Sequence, residues 1–165
     1  PTRGIADSIL ERLPADRPTP QQSEWQDLEL GVFVHFGLLT DKHHDGFCLW
    51  PTETTAHSVQ ASPWRGGCGD LVRRCGLSLH GAGLRFGLYL RPWDAHAWKT
   101  LGLSDAEYDH YYTRQLTELL TSYGGVTEVW WDGAGSKHRR HDWRAYYGLI
   151  KSLQPGAVIM GAGCS

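Results

Sequence analysis

Short apolar runs alternate along this chain with stretches of helical periodicity, and that alternation limits the possible folds more than any other feature. The runs cover residues 31–37 (Gly31-Val32-Phe33-Val34-His35-Phe36-Gly37), 84–90, 126–131 and 157–160. The first run is apolar on both faces, which suits a buried parallel strand better than a half-exposed antiparallel one. Between the runs, Asp70 opens a helix that runs to about His80, where Gly81 and Gly83 stop it. Gly76 weakens its middle. Ser104-Asp105-Ala106-Glu107 is a capping box that starts the best helix of the chain. Tyr108, Tyr112, Leu116, Leu119 and Tyr123 follow at near-helical spacing until Gly124-Gly125. A third helix spans about 143–153, before a Pro155-Gly156 turn. Strand, loop and helix repeated in this way predict an α/β fold with parallel strands. Ligands then gather at the C-terminal strand ends, in a (β/α) barrel as in a doubly wound sheet. No glycine-rich phosphate fingerprint follows the first strand, which disfavours nucleotide binding.

Residues 1–24 read as a polar lead-in, with a short helix over 5–13 ending before Pro14 and an extended stretch through Pro18 and Pro20. Residues 25–165 read as the α/β domain, and 165 residues suit one ordinary domain. Residues 51–69, rich in Thr, Pro and Gly, read as loop around Trp64. One connection is too short. Only Leu38 to Asp41 separate the first strand from the segment beginning at Lys42, whereas neighbouring parallel strands need a crossover of about a dozen residues. Either residues 31–40 form one long strand or a connecting segment is absent.

That following segment, Lys42-His43-His44-Asp45-Gly46-Phe47-Cys48-Leu49-Trp50, holds the densest chemistry in the chain. Such polar groups are unfavourable to bury without partners, and at a strand end they point toward a ligand. Asp132, after Val129-Trp130-Trp131, is the best reactive candidate: an apolar frame suits a nucleophile, a general base or a metal ligand. It could equally cap the turn with Gly133. His35, His43 and His44 could ligate zinc with Asp45 or Asp132, but no HxH or HExxH spacing is present. Hydrogen bonding to hydroxyls is the simpler role. Tyr89 and Asp94 lie at or beyond another strand end, Tyr89 as either a pocket or a core residue; Trp64, Trp93, Trp98 and Trp143 read as packing residues.

Composition narrows the ligand. There are 8 Trp, 7 Tyr and 9 His, and flat aromatic surface beside neutral donors suits sugars. Lys and Arg number 16 against 18 Asp and Glu, so no charge excess points to nucleic acid or a membrane surface. No apolar stretch approaches the ~20 residues of a membrane span. The four cysteines form no CxxC pair; Cys68 and Cys75, if on one helix, would stand ~10 Å apart, too far for a disulfide. The start, Pro1-Thr2-Arg3-Gly4, shows no initiator Met or apolar signal region, and the chain reads as a piece cut at both ends.

Together, residues 31–37, 42–51, 86–94 and 129–133 resemble, in order, the motifs of α-L-fucosidases of glycoside hydrolase family 29. The run Lys42 to Pro51 is highly specific, and Trp130-Trp131-Asp132-Gly133 supports it. The resemblance implies an incomplete (β/α)8 TIM-like barrel with four to five strands. It implies a retaining glycosidase that removes terminal α-L-fucose from oligosaccharides or glycoconjugates. Asp132 then matches the nucleophile, His35, His43 and His44 the residues that bond the sugar hydroxyls, and Tyr89 and Trp130 the pocket lining. No metal or other cofactor is implied, nor any nucleic-acid or membrane partner; relatives are commonly secreted, periplasmic or lysosomal. The family carries a further segment after the first strand that this chain lacks. The acid/base Glu of the subgroup it most resembles lies beyond residues 157–160, with no equivalent before Ser165. The expectation is feeble or no turnover of natural fucosides, with a non-catalytic fucose-binding remnant as the alternative.

Overall fold

The computed structural model describes residues 17–31, 46–131 and 139–161. The helix expected over 5–13, the strand expected over 31–37 beyond Gly31, and His35, His43, His44 and Asp132 lie outside the described residues. The chain divides into two compact units, residues 1–33 and 34–165.

In the first unit the supposed extended lead-in is instead a helix, α1 (Pro20–Gln26). Thr19 is its N-cap. Gln22 N–H donates to Thr19 Oγ1 at 3.3 Å, and Thr19 N–H donates back to Gln22 Oε1 at 2.8 Å. Pro20 sits at the first helical position, where its missing N–H would have had no helical partner in any case. A proline that reads as a breaker is here a starter.

Among the described residues, the second unit holds a three-stranded parallel sheet in the order β1 (Gly87–Tyr89), β2 (Glu128–Trp131), β3 (Val158–Gly161). The strands are shorter than the apolar runs, but the pairing outlasts them. Thr127 N–H donates to Phe86 O at 2.8 Å, and Val158 N–H to Thr127 O at 2.8 Å. Before the sheet, two 3-10 turns (Val59–Ala61 and Trp64–Gly67) interrupt the expected loop. Cys68 closes the second turn, so it does not share a helix with Cys75; both are free thiols.

Helix α2 (Leu71–Gly81) is capped by Asp70, whose Oδ1 accepts from Arg73 N–H at 2.8 Å. Its Gly76 is buried beside Phe86. The crossover from β1 to β2 contains α3 (Ala95–Lys99), which the sequence pattern did not suggest, and α4 (Asp105–Ser122). The Ser104/Glu107 capping box is formed as expected. Helix α5 (Trp143–Leu153), capped by Asp142, makes the crossover to β3. Gln154 joins these pieces: its Nε2 donates to Leu120 O and Gly124 O at the end of α4, while its Oε1 accepts from Val126 N–H. Carbonyls left over at a helix end are thereby satisfied.

Strand alternation divides the sheet into two faces. Leu88, Val129 and Trp131 enter the buried core with Tyr108, Tyr112, Leu116, Leu119, Leu120, Tyr146 and Ile150 of α4 and α5. Aromatic rings build much of it: Trp131 meets Trp143 at 5.5 Å and Tyr146 at 6.3 Å, and Tyr112 meets Tyr146 at 4.6 Å. Of the tryptophans read as packing residues, Trp93 is buried and Trp143 packs against the core, whereas Trp64 and Trp98 remain exposed.

Candidate functional site

Tyr89 and Trp130 end up side by side. They are register partners on β1 and β2, their rings 5.7 Å apart and inclined at 60°. Alternation places them on the face opposite the helices, since their neighbours Leu88, Val129 and Trp131 fill the core. Both are half-buried. They stand at the C-terminal ends of parallel strands, the end at which α/β folds collect ligands. The sequence-derived site is thus represented among the described residues by this aromatic pair. Asp132 follows Trp130 by two residues, but it, His35, His43 and His44 lie outside the described residues.

The second half of the His-rich segment is described from Gly46 onward, and it is tightly held. Cys48 N–H donates to His57 O at 3.0 Å, and Val59 N–H donates to Cys48 O at 2.9 Å, an isolated parallel bridge. Leu71 N–H, at the start of α2, donates to Leu49 O at 3.0 Å. Three side chains of α4 reach this part of the molecule. Gln115 Nε2 donates to Cys48 Sγ at 3.3 Å, Glu118 Oε2 accepts from Trp50 Nε1 at 2.8 Å, and Tyr111 OH donates to Asp94 Oδ2 at 3.3 Å. The His57 ring is stacked on His96 at 4.4 Å and meets Phe47 edge-on at 5.1 Å.

Asp94, which lies just beyond a strand end in the sequence, is a buried cap in the structure. It is 6% exposed, and its Oδ1 accepts from Ala97 N–H at 2.9 Å, which starts α3. Burial pushes its carboxyl above the usual carboxylate range, against the opposing pull of the Ala97 N–H, His96 and Tyr111. Near the other side of α4, the ring nitrogens of His141 are shut from solvent without a hydrogen-bond partner, beside Trp143 at 4.8 Å and Tyr108 at 6.0 Å. Burial lowers the pKa of His141. Among the described residues, no group of three or more His, Cys, Asp or Glu is placed to hold a metal ion. His57 and His96 carry no signal in the sequence, because what joins them is contact across the fold.

The chain is similar in structure to solved members of one enzyme family. It matches a putative alpha-L-fucosidase from Bacteroides ovatus with a TM-score of 0.75 and 37% identity, over 86% of this chain and 32% of that one. It matches a glycoside hydrolase 29 family member from an unknown rumen bacterium with a TM-score of 0.73 and 32% identity, over 88% of this chain and 36% of that one. Alpha-L-fucosidase 1 of Arabidopsis thaliana is 38% identical over 189 aligned residues, which take in 86% of this chain and 36% of the plant protein. The profile described as Alpha-L-fucosidase matches residues 38–162, and the chain belongs to that family, glycoside hydrolase family 29. It spans about a third of the length of these relatives. The plant alignment is longer than this whole chain, so the relative carries inserted positions that have no counterpart here.

Proposed function

We propose that this chain is part of a (β/α)8 barrel that hydrolyses terminal α-L-fucose from oligosaccharides or glycoconjugates with retention of configuration. The observation that carries the reading is the Tyr89–Trp130 pair, facing away from the helices at the strand ends, two residues before Asp132. A deoxy sugar offers hydroxyls on its edges and a methyl-bearing flat patch. Half-buried aromatic rings meet the patch, and neutral imidazoles donate to or accept from the hydroxyls. In this reading His35, His43 and His44 bond the hydroxyls, while Tyr89 and Trp130 line the pocket.

The Asp132 carboxylate attacks the anomeric carbon, an ester bond forms as the glycosidic bond breaks, and the leaving oxygen takes a proton from a general acid or from water. Water then cleaves the ester and restores the carboxylate. Protonation by a positioned acid is worth roughly 100- to 10,000-fold, most for poor leaving groups. An activated aryl α-L-fucoside needs little of that help and isolates the role of Asp132. The expected result is a burst of one aglycone per chain, with one sugar mass added at Asp132. Release no faster than that of an Asp132→Asn variant would overturn the reading.

A further inference from the structure

We propose that Asp94 is a positioning residue for the His-rich segment: held by α4, it seats Gly46 and so sets where the chain leaves toward His44 and His43. The inference rests on the proposed function, in which those histidines meet the sugar, and concerns what places them.

Gly46 has a φ of +73°, a conformation other residues adopt only with strain. More decisive is its neighbour. A Cβ built on Gly46 would lie 2.1 Å from Asp94 Oδ1 and 2.5 Å from Oδ2, so the glycine backbone rests directly on the carboxylate. The carboxylate cannot move aside without loss. Ala97 N–H at 2.9 Å and Tyr111 OH at 3.3 Å each hold one of its oxygens, and the residue is buried. His96, two residues on, stacks on His57, which in turn meets Phe47, the residue after Gly46.

Helix α4 carries the reference frame. Tyr111, Gln115 and Glu118 are spaced four and three apart and so share one stripe of the helix. They reach Asp94, Cys48 and Trp50 respectively, the last two being the second and fourth residues after Gly46. The same helix fixes the end of β1, since Tyr112 OH donates to Leu90 O at 2.7 Å, one residue beyond Tyr89. One rigid element therefore holds both the strand end that bears Tyr89 and the segment that leads to the histidines. A buried carboxylate is an unfavourable choice for mere packing, because desolvation opposes its charge. Its two held oxygens and the absence of a side chain at Gly46 are what give this contact a defined register.

The test uses the full chain and L-fucose as the probe, with affinity read from thermal shifts and titration. Asp94→Ala and Gly46→Ala should weaken L-fucose binding at least tenfold, whereas Asp94→Asn, which keeps shape and hydrogen bonding, should stay near wild type. Ser104→Ala, which loses only the exposed cap of α4, controls for stability and should bind as wild type does. If the Asp94→Ala chain fails to fold, Tyr111→Phe, which removes one of the two carboxylate bonds, serves in its place. Equal binding by the wild type and the Asp94 or Tyr111 variant would overturn the inference and leave the functional reading standing. If the wild type binds no L-fucose, the functional reading fails instead. The positioning claim is then decided by ring 15N–1H spectra of His43 and His44: displaced signals in the variant support it, and unchanged signals overturn it.

Discussion

Buried Asp94 and half-buried His141 flank helix α4 in the sequence and respond to pH in opposite senses. Burial lowers the pKa of His141, opposed by Asp109 and Asp105 and reinforced by Arg139. The neutral ring is favoured in the folded state, so its contribution is present above the ordinary value of 6.5 and is lost as pH falls through the folded value. Protonation would also leave two N–H donors inside the fold without acceptors. The unfolding midpoint should therefore drop between pH 7 and about pH 5, and His141→Phe should flatten that drop; an unchanged slope would refute the assignment. Asp94 works the other way. Its raised pKa favours the protonated form, so its contribution is present below 3.8 and is lost as pH rises through the folded value, with His96 and Tyr111 moderating the loss. Asp94→Asn should accordingly gain stability over wild type at neutral pH and lose that advantage near pH 4, measured by denaturant unfolding at both.

At the scale of elements, local rules account for most of the helices. Asp70, Ser104 and Asp142 each cap a helix that the sequence pattern already indicated. At α1, Pro18 and Pro20 suggest an extended chain, whereas Thr19 and Gln22 form a full capping box. α3 was not legible at all. Five residues are too few for a periodic signal. Gly76 offers a direct test of helix energetics. A Cβ there would meet Phe86 at 3.7 Å, ordinary van der Waals contact, so the space exists. Gly76→Ala should stabilise α2 by about 0.5–1 kcal/mol, seen as a raised denaturation midpoint with an unchanged slope. A loss of stability would mean that the added methyl does not fit beside Phe86.

For the molecule as a whole, the decisive measurement is cooperative unfolding with and without L-fucose. Occupancy of a native pocket at 100 times the dissociation constant would add about 2.7 kcal/mol and raise the transition accordingly. A transition indifferent to the sugar would mean that the strand-end aromatic pair alone does not make a pocket. The parallel α/β order was legible in the sequence because short apolar runs alternate with long helices that carry their own caps and period. That Tyr89 stands beside Trp130 was set by the register of β1 on β2. The likeness to α-L-fucosidases was also in the sequence, in contiguous motifs that need no fold to be read. Tertiary structure alone decided that Asp94 caps and buries rather than reacts, that Gly46 rests on its carboxylate, and that α4 reaches the His-rich segment. The physical reason is range. Caps, turns and periodicity act within a few residues, whereas Gly46 and Asp94, or Trp50 and Glu118, meet only after the core has closed around α4.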